Sequence, residues 1–190
     1  MSYANNSFNA AAVFSRISNP ATSIYDETAS PVAGGTCNNP ISTPTFSGYV
    51  SAGVNHRFGP ALFGFTYTNT RFQDVVRRSP IPLSGTAAFN NYEALATYNV
   101  SSSLLVGAPY DYTKAETAKY LQLNVGTQYN LSKRTLLYAT TSWERALGTD
   151  STAKPAVAAL SFLTPSSTGN QVAVRAGIRH SFQARFPTNP

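Results

Sequence analysis

The sequence predicts an all-β fold, a portion of an antiparallel, up-and-down transmembrane β-barrel with about eight strands. Three observations predict this class. Apolar and polar residues alternate with a period of two over segments of about ten residues. Clusters of Pro, Gly, Asn and Ser separate those segments. Charged residues make up only 12% of the chain, which is about half the usual share of a globular protein.

The strands are assigned by this alternation. The clearest is residues 171–182, where Val172 and Val174 lie on one face and Arg175 on the other. The eight predicted strands are residues 7–16, 48–58, 61–70, 91–100, 104–113, 120–129, 135–145 and 171–182. Strands of about ten residues are long enough to cross a bilayer when they are tilted.

The predicted links alternate between short and long. The short turns are residues 59–60, 100–103 and 130–133, and the longer links are residues 18–44, 73–88, 114–118 and 146–169. Outer-membrane barrels sort their links in this way, with short turns on one rim and long loops on the other. The apolar face would then meet lipid and the polar face a water-filled interior. A soluble sheet with a cross-strand aromatic core is the structural alternative.

Composition argues against several other classes. The formal charge of +6 comes from scattered Lys and Arg residues, which disfavours a surface that follows nucleic-acid phosphates. The single cysteine excludes an intramolecular disulfide framework. We expect no enzymatic activity, because His56 and His180 lack a carboxylate or serine at triad spacing. We expect no metal or cofactor, because the sequence has no metal-ligand spacing and no glycine-rich phosphate loop. A hydrolase that uses these two histidines is the remote enzyme hypothesis.

No run of roughly 18 apolar residues could form a membrane helix. The first residues, MSYANN, also lack the basic start and apolar run of a signal peptide. Because an exported protein needs such a signal, the chain is expected to be either cytosolic or an incomplete precursor.

Three stretches carry a family resemblance: SYANNSFNAAAVFSRISNP near the start, YNLSKRTLLYATTSWERALGTDS at 129–151, and LTPSSTGNQVAVRAGIRHSF at 163–182. They resemble the general-diffusion porins of the betaproteobacterial type. The resemblance implies a trimer of sixteen-stranded barrels in the cell outer membrane that passes small hydrophilic solutes and ions. It also implies that residues 1–182 correspond to the C-terminal half of such a chain, without the half that carries the signal peptide and the constriction loop.

The end of the chain departs from this resemblance. Phe182 matches the terminal aromatic residue that the barrel-assembly machinery recognises in the family. Residues 183–190, QARFPTNP, follow it, break the alternation and are expected to be a disordered tail outside the family pattern.

Two sets of residues are predicted to act in the channel and at the membrane. The pore-lining set has inward parity and comprises Arg57, Glu93, Asp111, Gln122, Asn124, Glu144, Arg175 and Arg179. The mixed charges of this set would bias the passage of ions through the channel. The alternative is that they are solvated charges of the wall with little effect on ion selectivity. Arg16, Arg71 and Arg145 have lipid-facing parity at the long-loop ends of their strands, where guanidinium groups would bind lipopolysaccharide phosphates or merely snorkel.

The alternative function is a small, eight-stranded structural or adhesive outer-membrane barrel without conductance. The sequence leaves open whether the strands close, remain an open sheet, or pair with a second chain. We predict that the chain alone does not form a selective pore.

Overall fold

The computed structural model describes residues 1–18, 41–42, 46–77, 85–150 and 154–182. These residues form an all-β antiparallel fold of eleven strand segments. The segments are β1 (Ser2–Ala4), β2 (Phe8–Ser18), β3 (Ile41–Ser42), β4 (Phe46–Phe58), β5 (Ala61–Arg77), β6 (Gly85–Asn99), β7 (Leu104–Gly107), β8 (Tyr110–Lys114), β9 (Ala118–Asn130), β10 (Thr135–Gly148) and β11 (Asn170–His180). Within these ranges no helix is long and apolar enough to cross a membrane.

The strands form an up-and-down sheet in chain order, β1-β2-β4-β5-β6-β7-β9-β10-β11. The short β3 pairs with β5, and β8 lies between β6 and β9 beyond the end of β7. In the described part of the chain, β1 and β11 end the order and do not pair with each other. The sheet therefore has two edges.

The eight predicted strands are confirmed, and seven of them correspond to the long segments β2, β4, β5, β6, β9, β10 and β11. β7 and β8 together correspond to the predicted strand 104–113. They are separated at Ala108 and Pro109, because proline has no N–H for a ladder hydrogen bond. The line of hydrogen bonds continues across this gap, since Ala108 N donates to Ala96 O and Asn124 N donates to Pro109 O. The short β1 and β3 were not predicted.

Two predicted long links are wrong. The link predicted at 73–88 is shorter, because β5 runs to Arg77 and β6 begins at Gly85. The link predicted at 114–118 is a tight turn. Only residues 115–117 separate β8 from β9, so this connection is as short as the turns on the opposite rim. A backbone hydrogen bond of 2.9 Å from Ala115 N to Ala118 O closes it as a tight hairpin. Most of the predicted link 18–44, residues 78–84 and the tail 183–190 lie outside the described residues.

The two faces of the sheet differ as the alternation predicts. We call the face that carries Gln122 and Asn124 the inner face, and the face that carries Leu123 and Val125 the outer face. Val125 is 53% exposed, whereas the polar Gln122 and Asn124 are half-buried. A sheet that curves toward its polar side chains shields them in this way, so the inner face is concave.

The outer face is apolar and uncovered. Val174 is 75% exposed, and Phe63 and Phe65 are also exposed on this face. Apolar patches beyond a few hundred Å² are rare on soluble monomers. This arrangement contradicts the alternative of a soluble sheet with an aromatic core, because such a core would bury these rings. The outer face instead fits an apolar solvent such as lipid.

Candidate functional site

All eight predicted pore-lining residues lie on the inner face of the sheet. The strand register places six inner-face residues in one cross-strand row: Thr66, Glu93, Asp111, Gln122, Glu144 and Gln171. A second row runs through Arg57, Leu62, Thr97, Gly107, Gly126, Thr140 and Arg175. The acidic residues therefore share one row, while two arginines lie at the ends of another.

Because the strands are tilted, charged residues from the two rows lie at a similar height above the short-turn rim. Arg175 lies five residues before the end of β11, and Glu93 lies six residues before the end of β6. At about 3.3 Å per residue, both are roughly 16 to 20 Å along their strands from the short turns. Arg57 and Arg179 each lie one residue from the same rim. Arg175 and Glu93 thus occupy the middle of the wall on strands that are far apart in the sheet.

The guanidinium of Arg175 is held against the wall by an aromatic ring. Its Cζ lies 5.6 Å from the centroid of the Tyr138 ring, a cation–π distance. The ring in turn lies over Gly177, where an added Cβ would come within 2.6 Å of the Tyr138 hydroxyl oxygen. Because residue 177 is glycine, there is room for the Tyr138 ring, and this ring contacts the Arg175 guanidinium.

The two mid-wall carboxylates are neighbours. Glu93 and Asp111 are direct cross-strand partners on β6 and β8. Asn91 Nδ2 donates a 2.7 Å hydrogen bond to Glu93 Oε1, and Asn91 Oδ1 accepts one of 2.7 Å from Thr113 Oγ1. Like charges directly opposite each other destabilise a sheet, so this pair needs the water or counter-ions of an open lumen beside it.

The wall beside this pair is open and combines polar with apolar side chains. A concavity of about 600 Å³ borders Asn55, Thr66, Glu93 and Asp111, among other residues. Gln122 Nε2 donates a 3.2 Å hydrogen bond to Asn124 Oδ1, which extends the polar wall across β9. Such a surface can carry hydrated solutes.

Glu144 differs from the other predicted pore-lining residues. It lies on the inner face but is only 6% exposed. Its Oε1 accepts a 2.9 Å hydrogen bond from Ala159 N. The link between β10 and β11 folds back over the wall and covers this carboxylate, so Glu144 does not line the open path. The continuous apolar run PAVAAL at 155–160 is the sequence feature that could have indicated this covering.

The three predicted lipopolysaccharide-facing arginines are exposed on the outer face. Arg16 and Arg71 lie in one row on either side of Gly48. Arg71 and Arg145 each lie ten residues after the first residue of their strands. That separation is roughly 33 Å along the strand, or roughly 25 Å across a membrane at a tilt of about 40°. That separation equals the height of the apolar band of an outer-membrane barrel.

The remaining singled-out residues lie at the short-turn rim. His180 Nδ1 shares a 2.8 Å hydrogen bond with Thr135 Oγ1, and the His56 ring lies 6.4 Å from that of Phe8. Phe182 is 89% exposed, with its ring 4.6 Å from that of His180. The contacts of His56, His180 and Phe182 are thus ordinary for residues that form part of the barrel wall. The described residues contain no group of three or more His, Cys, Asp or Glu side chains that could hold a metal ion.

The family model of the Gram-negative porins matches residues 1–148. The chain belongs to this family. The comparison with curated proteins finds no match.

Several solved structures share the fold. An anion-selective porin from Comamonas acidovorans superimposes with a TM-score of 0.68 at 21% identity, covering 95% of this chain and 47% of that chain. OmpT, an outer membrane protein of Vibrio cholerae, superimposes with a TM-score of 0.57 at 17% identity, covering 94% and 53%. Its trimer form gives 0.56 at 18% identity, covering 95% and 54%. This porin chain thus spans about half the length of the solved structures it matches.

Proposed function

We propose that this chain forms part of the wall of a water-filled outer-membrane channel for passive diffusion of small hydrophilic solutes and ions. One observation carries the proposal: an up-and-down sheet of a porin-family chain has a polar, concave inner face opposite an uncovered apolar outer face. No catalytic step is needed, because the hydrated path itself provides the function.

The inner wall favours anions over cations. Its uncovered charges on the described strands are the exposed Arg57, Arg175 and Arg179 against the exposed Glu93 and the half-buried Asp111, since Glu144 is covered. A wall of low dielectric strengthens the field of these charges in the lumen. The Comamonas acidovorans porin that shares the fold is itself described as anion-selective.

Planar-bilayer recordings of the full-length protein that contains this chain test the proposal. We expect discrete ion channels whose reversal potential in a KCl gradient indicates a preference for chloride. Arg175→Gln should shift that potential toward potassium, whereas Val174→Ala on the outer face of the same strand should not. Failure to observe channels in correctly inserted protein would refute the proposal.

The unpaired edges of the sheet argue that other strands complete the channel. Backbone groups without partners cost several kcal/mol each in hydrocarbon, and β1 and β11 leave such groups within the described residues. We infer that the complete protein is a sixteen-stranded barrel in which residues 1–182 are the C-terminal half. Refolded alone, residues 1–182 should give no small, strongly selective channel, and such a channel would refute this assignment.

We propose lipopolysaccharide and outer-membrane lipid as partners of the outer face. Arg16, Arg71 and Arg145 would bind the phosphates, because guanidinium pairs with phosphate in a bidentate geometry. Replacing all three with Gln should lower the lipopolysaccharide that co-purifies, while Arg134→Gln at the short-turn rim serves as the control. Unchanged retention in the triple variant would mean that the three side chains only snorkel.

Assembly partners follow from the family. The exposed ring of Phe182 would be recognised by the barrel-assembly machinery, so Phe182→Ala should reduce the fraction of protein that reaches the outer membrane as a folded barrel. We also propose a homotrimer, as in the trimer form of OmpT, which cross-linking in the membrane would test. No feature of the described residues favours the alternative of a non-conducting structural barrel.

A further inference from the structure

The inner face has a recess between β1 and β8 that the passage of hydrated ions does not require. It is the concavity of about 600 Å³ beside Glu93 and Asp111, a volume typical of sites for small molecules. We call it the wall recess. Among the described residues that line it, Glu93 and Asp111 are the only ones with charged side chains. The rest of the described lining is neutral and comes from β1, β2, β4, β5, β6 and the residue before β8.

An apolar surface lies next to the two carboxylates in the wall recess. Leu95 comes two residues after Glu93, and Pro109 comes two residues before Asp111, and all four border the recess. Leu95 is 36% exposed although it lies on the inner face. Its cross-strand partner is Gly64, which has no side chain to cover it. An exposed apolar surface beside two carboxylates matches a ligand with an apolar body and a positive group.

The two carboxylates can accept hydrogen bonds from a cation. Glu93 accepts one from Asn91, and within the described ranges no hydrogen bond reaches the side chain of Asp111. The Cβ atoms of direct cross-strand partners lie about 4.5 to 5.5 Å apart, so one ammonium group can contact both carboxylates. An ammonium group has three donors, and its bonds to carboxylates are charge-assisted. Such a group would also offset the repulsion between the two carboxylates.

We propose that the wall recess binds small organic cations, with a protonated amine against Glu93 and Asp111 and an apolar body against Leu95 and Pro109. The recess faces a lumen only in a channel, so this inference rests on the proposed function. A bound amine neutralises the two carboxylates while the arginines of the inner wall keep their charge. Occupation of the recess therefore increases the preference of the channel for chloride.

Calorimetric titration of the detergent-solubilised, full-length protein with benzylamine tests the site, with protein-free micelles as the blank. Benzylamine combines an ammonium group with an apolar ring. Ethanolamine keeps the ammonium group without the ring, and benzyl alcohol keeps the ring without the charge. Each of these two should bind more weakly than benzylamine by about tenfold or more, because each lacks one of the two contacts. Equal binding of benzylamine and ethanolamine would show that the carboxylates act through charge alone and would overturn the proposal.

Two changes to the wall recess separate charge from shape. Glu93→Gln combined with Asp111→Asn removes both charges at nearly constant size and should abolish benzylamine binding. Gly64→Val leaves the charges in place and fills the recess. A Cβ at Gly64 would meet its nearest neighbours at 3.6 Å, an ordinary contact, so the wall accepts the side chain. This variant should weaken benzylamine binding by about tenfold, whereas Ser142→Val on the inner face of β10, outside the described lining, should not. Unchanged binding in Gly64→Val would contradict the proposal.

Bilayer recordings supply a second readout. Benzylamine should shift the reversal potential in a KCl gradient further toward chloride, and the shift should be absent in the variant without the two carboxylates. Calorimetry does not require a conducting protein, so the two proposals fail separately. Protein that conducts but does not bind benzylamine overturns this inference alone. Inserted protein that binds benzylamine but forms no channels overturns the proposed function instead.

Discussion

Val125 lies near the middle of the outer face and offers a sharp test of how the sheet is oriented toward the membrane. It is five residues before the end of β9 and 53% exposed. Five residues span about 16 Å along a strand, which is about 13 Å across the membrane at a tilt of about 40°. That depth is half of an apolar band of about 25 Å, so the side chain lies at the bilayer midplane.

Val125→Arg should therefore destabilise the inserted protein by about 2 to 4 kcal/mol, the cost of an arginine at the midplane. This corresponds to a loss of roughly 30-fold to 900-fold in the folding equilibrium constant. The free energy of unfolding can be measured by guanidinium titration in phosphatidylcholine vesicles. The chain has one tryptophan, Trp143, whose fluorescence would report the transition.

Asn124→Arg is the matched control, because Asn124 is the preceding residue of the same strand and faces inward. An arginine there keeps its charge in water, so we expect a change of about 1 kcal/mol or less. Equal destabilisation by the two substitutions, or a larger effect at Asn124, would refute the assignment of the outer face to lipid.

Three further predictions follow from backbone conformation and packing. Gly148→Ala should lower the free energy of unfolding by about 1 to 3 kcal/mol, because Gly148 has φ 89° and an added Cβ would collide with the carbonyl oxygen of Thr117. Guanidinium titration in vesicles should detect this loss, and an unchanged unfolding midpoint would contradict the prediction. Phe162→Gly should raise the same free energy by about 1 kcal/mol through relief of its left-handed conformation, which has φ 65°, whereas Phe162→Ala should not. Gly177→Val should displace the Tyr138 ring and reduce chloride preference in bilayer recordings; full retention of that preference would show that the ring does not position the cation.

The parts of the fold that could be predicted from sequence are those set by local periodicity. Alternation at Val172, Val174 and Arg175 gives the two faces of β11 directly, because neighbouring side chains of a strand point to opposite faces. The same rule placed Arg57 and Glu93 on the inner face. Exact strand ends were less predictable. Backbone hydrogen bonds extend β5 to Arg77, well beyond the clear alternation at 61–70.

The covering of Glu144 could not be predicted in the same way. Its position in β10 gives the correct face, but its burial depends on the path of a link that begins several residues later. Ala159 and Glu144 are 15 residues apart, and Leu160 and Gln171 are 11 apart. No local pattern specifies that a backbone N–H of a loop will meet a wall carboxylate, because the contact follows from the three-dimensional course of the chain.

The link between β10 and β11 also affects the electrostatics of the inner face, because it covers Glu144. Glu144 lies on β10, next to the strand that carries Arg175. Were Glu144 exposed to the lumen, its carboxylate would lie on the same side of the wall as this arginine and weaken its field. Because the link covers Glu144 and a backbone N–H donates to it, the carboxylates of the predicted pore-lining set that remain uncovered are Glu93 and the half-buried Asp111, on β6 and β8. The covering therefore removes from the lumen the inner-face carboxylate of the strand next to Arg175, and it leaves Arg175 and Arg179 as the uncovered inner-face charges of β10 and β11.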